Sequence, residues 1–157
     1  MIRGVHHLAI HARDIERMID FYTGAFGFRL VSRFEWDGDK PIDDIVGLEG
    51  SAARAAMLNA GNVHIELFEY SKPDARDAEP LRPSDRGYTH FCLEVTDIEA
   101  EWERLSKLGM DFRRRPVDLG EVKAIYGKDP EGNIIEVQQI LPSDHEFAFD
   151  RLNLAHR

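Results

Sequence analysis

The feature that most constrains this chain of 157 residues is that it runs through one pattern twice. Val5-His6-His7-Leu8-Ala9-Ile10-His11-Ala12-Arg13-Asp14-Ile15-Glu16 aligns with Tyr88-Thr89-His90-Phe91-Cys92-Leu93-Glu94-Val95-Thr96-Asp97-Ile98-Glu99. His7 falls on His90, Asp14 on Asp97, Ile15 on Ile98 and Glu16 on Glu99. Each block is a short β-prone run, then an aspartate, then a helical pattern. A chain repeated this way is expected to build two like modules rather than one irregular domain.

The aspartates suit helix N-caps, because a carboxylate there accepts the unpaired amides of the first turn. After Asp14, Ile15, Met18, Ile19, Tyr22 and Phe26 recur at helical spacing, and Gly27 is the stop. After Asp97, Ile98, Trp102, Leu105 and Leu108 do the same, and Gly109 is the stop. Strand-like runs follow each helix: 28–34, 54–59 and 63–68 in the first half, 110–113, 121–126 and 133–139 in the second. Ala60-Gly61-Asn62 and Asp129-Pro130-Glu131-Gly132 carry turn chemistry between the last two runs of each half. The expected order is βαβββ twice, in an α+β class. A first module over 3–70, a linker over 71–86 holding Pro73, Pro80 and Pro83, a second module over 87–140 and a tail over 141–157 with a short helix complete the reading. The Asp- and Gly-rich segment Glu35–Ser51 reads as an insert at the mouth of a pocket.

Period-2 alternation divides each strand into an apolar row and a row bearing His or Glu. His7 and His11, His64 and Glu66, His90 with Cys92 and Glu94, and Glu136 occupy these polar rows. A carboxylate in the middle of a sheet is costly unless something pairs it. Two histidines and two glutamates at matched depths can share that cost by holding a divalent cation, and such donors suit Zn, Ni, Co, Mn or Fe(II). The alternative is that these rows face solvent, but solvated positions have no reason to recur in register.

The net charge of −9 opposes nucleic acid and anionic membranes as partners. The single cysteine, Cys92, excludes an internal disulfide. It reads as a small core residue, and Trp36 and Trp102 as packing residues. Residues 1–7 hold no apolar signal-peptide core, and no apolar run is long enough to span a membrane. A cytoplasmic protein is the expectation.

Taken together, His7-Leu8-Ala9-Ile10 with Asp14, Asp20-Phe21-Tyr22 with Gly27-Phe28, the block from His90 to Asp97, and Asp129-Pro130-Glu131-Gly132-Asn133-Ile134-Ile135-Glu136 resemble the vicinal oxygen chelate superfamily. That family includes glyoxalase I, methylmalonyl-CoA epimerase, extradiol dioxygenases, fosfomycin-resistance transferases and bleomycin-resistance proteins. The resemblance covers residues 3 to 140 and implies two tandem βαβββ modules forming a cupped mixed sheet around one metal ion. Carried over residue by residue, it implies His7, Glu66, His90 and Glu136 as ligands. His64 is the alternative to Glu66. His6 would point into the core, and His11 and Glu94 would lie at the cavity rim.

What the resemblance implies chemically is a divalent-metal-dependent lyase, isomerase or epimerase. It would act on a small substrate with adjacent oxygens through a metal-stabilised enediolate, with Glu136 or Glu66 as the base. The homodimer common among such relatives is expected. The rival is an Fe(II) extradiol dioxygenase, because Tyr126 precedes Glu136 as in that signature. Against it, Asp118, Leu119 and Gly120 stand where the signature wants a histidine. A fosfomycin-type transferase would want dense cationic residues, and Arg113-Arg114-Arg115 reads as a solvated edge. A non-enzymatic small-molecule-binding resistance protein is the further alternative, opposed by the metal-ligand set.

Overall fold

A computed structural model describes residues 2–76 and 82–151. The chain divides into two compact units, residues 1–78 and 79–157. The first contains β1 (His7–His11), α1 (Ile15–Phe26), β2 (Arg29–Asp37), α2 (Lys40–Val46), β3 (Ala52–Asn59) and β4 (His64–Lys72). Its sheet order is β1-β4-β3-β2, with β1 parallel to β4 and the other pairs antiparallel. The second contains β5 (His90–Glu94), α3 (Ile98–Lys107), β6 (Asp111–Phe112), β7 (Val117–Asp118), β8 (Val122–Lys128), β9 (Ile134–Ile140) and a 3-10 turn (Phe149–Arg151). Its order is β5-β9-β8-β6, with β7 also on β8 and β5 parallel to β9. The α+β class and the duplicated frame are as expected, with one mixed sheet in each unit.

The duplication extends to how each helix is fastened. Asp14 Oδ1 accepts from Arg17 N at 3.1 Å, and Asp97 Oδ1 from Ala100 N at 3.1 Å. The first helical amides reach the sheet: Ile15 N donates to Glu69 Oε2 at 2.8 Å, and Ile98 N to Gln139 Oε1 at 3.1 Å. Each bond satisfies a donor the helix itself leaves unpaired. Gly27 ends α1 in the left-handed region (φ 69°), where its N–H returns to Thr23 O. Beneath α1 the core is Ile15, Met18, Tyr22, Leu58, Ile65 and Leu67, and in the second unit it is Ile98, Leu105, Met110, Ile135 and Val137. Burying each such side chain contributes about 1.5–3 kcal/mol. At Gly127 a Cβ would lie 2.6 Å from Phe112 Cε1, so only glycine lets that ring close against β8.

Several elements differ from the expectation: β7 is an added strand paired with β8, β3 begins at Ala52, and β8 runs on to Lys128. β2 continues to Asp37, and α2 occupies most of the Glu35–Ser51 insert. Asp39 caps α2 through Ile42 N at 3.2 Å, and Gly47 closes it at φ 71°. No residue of α2 is fully buried, so it carries no apolar periodicity to announce it. The insert is tied down by Asp43, whose carboxylate accepts from Ser51 Oγ, Gly50 N and Ser51 N. The Ser51 hydroxyl in particular holds this carboxyl below its usual range. β4 continues to Lys72, so the strand claims Ser71 and Lys72 from the linker. The tail carries the 3-10 turn; residues 77–81 of the linker and 152–157 of the tail lie outside the described residues.

Trp36 is buried and donates from Nε1 to Ser51 Oγ at 2.8 Å, which fits its packing role. Trp102 is half-buried under the Arg115 guanidinium, 4.7 Å from the ring centroid. Arg113, Arg114 and Arg115 are exposed, as a solvated edge should be. Among the described residues no helix is long and apolar enough to cross a membrane.

Candidate metal centre

In each module a histidine on the first strand and a glutamate on the last are diagonal neighbours. His7 lies opposite His64, and Ala9 opposite Glu66. His90 lies opposite Ile134, and Cys92 opposite Glu136. The two-residue offset puts both members on one face of their sheet. His7 Nε2 is 3.3 Å from Glu66 Oε2, and His90 Nε2 is 3.2 Å from Glu136 Oε2. Glu66 is only 8% exposed, so its carboxylate depends on such a partner.

The other ring nitrogen is held in both modules by the preceding side chain. His7 Nδ1 lies 2.9 Å from His6 Nδ1, and His90 Nδ1 lies 2.9 Å from Thr89 Oγ1. A second partner of this kind fixes the orientation of a metal-ligating imidazole. The role of His6 and Thr89 went unread in the sequence, although both stand at the same place in the repeat. The expectation that His6 enters the core is overturned. β1 begins only at His7, and His6 is exposed, its ring stacked on His64 at 4.9 Å.

His64 directs Nδ1 to His6 O at 3.3 Å and Nε2 to Asn59 Nδ2 at 3.5 Å, whereas Glu66 is the group that meets His7. His11 Nε2 accepts from Tyr70 N at 3.2 Å, and both Glu94 oxygens accept from Phe149 N at 3.2 Å. Both are thus engaged by the chain itself, Glu94 by the tail.

Cys92 is a correction. It is exposed on the polar face rather than packed in the core, because its place in the alternation opposes Phe91 and Leu93. Its thiol is pushed up to about 12, first by local desolvation and then by the Glu136 carboxylate. Tyr126 lies opposite Glu136 across β8 and β9, its ring 4.8 Å from that of His90. Desolvation, and then Glu136, raise its phenol above the usual tyrosine range.

Among the described residues no three His, Cys, Asp or Glu side chains are grouped as a metal site, so within either module the set stops at two donors. The spacing of each pair fits a shared cation. Two donors bound at ~2.1 Å and about a right angle apart lie ~3 Å from each other.

Comparison with known proteins agrees with this architecture. The family model described as Glyoxalase/Bleomycin resistance protein/Dioxygenase superfamily matches residues 4–137. A 2-epi-5-epi-valiolone epimerase from Actinomyces sp is 36% identical over 105 residues, spanning 65% of this chain and 57% of that protein. A lactoylglutathione lyase from Pseudomonas putida is 28% identical over 148 residues, spanning 87% of this chain and 85% of that protein. The crystal structure of a glyoxalase family protein from Bacillus cereus superposes with a TM-score of 0.81 at 22% identity, covering 90% of this chain and 97% of that one. With the family model matched across both modules, this chain belongs to the glyoxalase/bleomycin resistance protein/dioxygenase superfamily.

Proposed function

We propose that the His7–Glu66 and His90–Glu136 pairs are the two halves of one four-donor site for a divalent cation, completed within one chain or between two copies. On this reading the protein is a lyase or isomerase of the glyoxalase or epimerase kind, acting on a small substrate with adjacent oxygens. The observation that carries it is the repetition of one imidazole–carboxylate contact, at 3.3 and 3.2 Å, in both modules. Relatives named as an epimerase and a lactoylglutathione lyase support the reaction class. The bound cation would supply Lewis-acid stabilisation of negative charge developing on the substrate oxygens. Glu136 or Glu66 would take the proton from the carbon beside a carbonyl at its Oε2. Tyr126, its ring beside His90, would donate a hydrogen bond from its hydroxyl. His6 and Thr89 would hold the imidazoles in orientation.

The test is deuterium incorporation beside the carbonyl of an α-hydroxy ketone in D2O, followed by proton NMR. Exchange above the free-metal rate, lost on chelation and in Glu136→Gln, is expected. Exchange that survives metal removal would contradict the reading. The placement of Tyr126 beside His90 favours one second reading, an Fe(II) extradiol dioxygenase, which ring cleavage of catechol by the Fe(II)-loaded protein would reveal.

A further inference from the structure

The first strand of each module ends its polar row on a matched position, His11 in β1 and Glu94 in β5. Both side chains accept a backbone amide, but from different places. His11 Nε2 accepts from Tyr70 N at 3.2 Å within its own sheet, because β4 runs on to Lys72. Ile140 stands where the first module has Tyr70, and it is the last residue of β9. The chain leaves the sheet there, and Glu94 is met instead by the tail, with both carboxylate oxygens accepting from Phe149 N at 3.2 Å. To reach Glu94 the tail crosses the sheet. It starts beside β8, where Leu141 N donates to Glu121 O at 2.8 Å and His145 Nε2 lies 3.8 Å from Glu121 Oε2. It finishes on β5, with β9 between the two. That is two strand spacings, about 10 Å. The crossing piece is wound tight, since Ala148 N donates to His145 O at 3.1 Å and Arg151 N to Ala148 O at 2.8 Å. Ala148 is buried, so the piece is packed down, while Phe147 and Phe149 stay exposed.

The tail therefore closes one end of the face that carries His90, Glu136 and Tyr126. Between Glu136 and the tail lie Gln138 of β9 and, opposite it, Ala124 of β8, both half-buried, with Cys92 exposed beside them. In the other direction the same row holds Ile134, which is only 6% exposed. The face is accessible from Glu136 towards the tail and occluded the other way. Four residues of β5 set Glu94 about 13 Å from His90. At about 1.2 Å per chain bond, that leaves room for roughly six carbons beyond a vicinal-oxygen head.

We propose that the tail is an end wall that limits the length of the substrate, and that Glu94 is the positioning residue that holds it there through the Phe149 amide. The substrate class is then a short-chain compound with adjacent oxygens. The proposal rests on the functional reading above for the oxygen head, and on Glu94 and the tail alone for the wall. A carboxylate suits this role, because it binds an amide N–H more strongly than a neutral acceptor does.

The probes are 1-hydroxy-2-butanone, 1-hydroxy-2-octanone and 1-hydroxy-2-decanone, which share the head and differ in chain length. Binding to the full chain is measured by calorimetry, with metal content and deuterium exchange of the ketones in parallel. Hydrogen exchange of the Phe149 amide reads the latch itself. In the wild type the decanone should bind about tenfold more weakly than the octanone. The Phe149 amide should exchange at least about tenfold more slowly than in Glu94→Ala. Glu94→Ala, and Phe149→Pro, which removes the donated N–H, should each shrink the octanone–decanone gap to about twofold or less. Glu94→Gln keeps an acceptor and should retain most of the gap. No gap in the wild type, a gap unchanged in Glu94→Ala, or a Phe149 amide that exchanges equally fast in both proteins would overturn the proposal. So would failure of all three ketones to bind. A Glu94-dependent gap without bound metal or ketone deuteration would uphold the wall and remove the proposed chemistry; bound metal and deuteration without a gap would do the reverse.

Discussion

Position for position, Glu66 of the first module corresponds to Glu136 of the second, Leu67 to Val137, Phe68 to Gln138 and Glu69 to Gln139. The parallel register, the aspartate caps and the bond from the last strand to the first helical amide are common to both. The lining is not. The first module surrounds its His–Glu pair with rings and alanines, whereas the second places a thiol and a phenol beside its pair. The helices differ as well: α1 buries six residues, Ile15, Met18, Ile19, Phe21, Tyr22 and Ala25, while α3 buries Ile98 and Leu105. The duplicated positions are those that hold a strand, a helix end or a donor in place. The positions free to diverge are those that decide what each face meets.

The largest expected effect belongs to Cys92, which stands where the first module has Ala9. Local desolvation, and then the Glu136 carboxylate, raise its thiol, so the folded metal-free protein holds less thiolate near neutrality than an unperturbed cysteine. Alkylation of the metal-free protein by iodoacetamide at pH 8 should therefore run slower in the folded than in the urea-unfolded state. Glu136→Gln should speed it, since that carboxylate is one cause of the shift. Equal rates in folded and unfolded protein would show that the thiol does not share the polar face with Glu136.

Next in size are the matched isoleucines Ile65 and Ile135, 1% and 0% exposed. Ile65 lies on the face of β4 that meets the more deeply packed α1. Truncation to alanine should cost about 4 kcal/mol at Ile65 and about 2–3 kcal/mol at Ile135, read from urea denaturation. A reversed order would mean that burial of the overlying helix does not set how well each site can collapse.

Smaller still is the contrast between the two helix anchors. Glu69 accepts from Ile15 N and also binds Arg54 at 2.7 Å, whereas Gln139 accepts from Ile98 N as a neutral amide. Glu69→Ala should cost about 2 kcal/mol and Gln139→Ala about 1 kcal/mol, with the difference shrinking in high salt. Equal, salt-independent losses would assign both residues a purely steric role.

Much of the frame was legible because it rests on local signals. Asp14 and Asp97 announce the caps, Gly27 a stop, and the alternation in 63–68 and 133–139 separates Glu66 and Glu136 from their apolar neighbours. What escaped depends on contacts rather than pattern. Lacking a buried stripe, α2 reads as loop even though Asp39 and Gly47 mark its ends. Cys92 reads as core because it is small and apolar, although the alternation already sets it in the polar row with His90 and Glu94, and the register then places it beside Glu136. His6 depends on where β1 begins, a boundary that Val5 and Ile2, both exposed, do nothing to fix in the sequence. His7 and His90 stand out in the repeat, and Glu66 and Glu136 join them through the polar rows and the family resemblance, but the diagonal contacts and the neighbours His6 and Thr89 depend on the parallel register.

Metal stoichiometry tests the central claim most directly. The full chain, purified without chelator or affinity-tag histidines, is analysed by inductively coupled plasma mass spectrometry beside Glu66→Gln and Glu136→Gln. One divalent ion per chain is expected, with a loss of at least about tenfold in bound metal in either variant, because each removes a donor from the same ion. Two ions per chain, full metal retained in one variant while the other loses it, or no metal in the wild type would each contradict it.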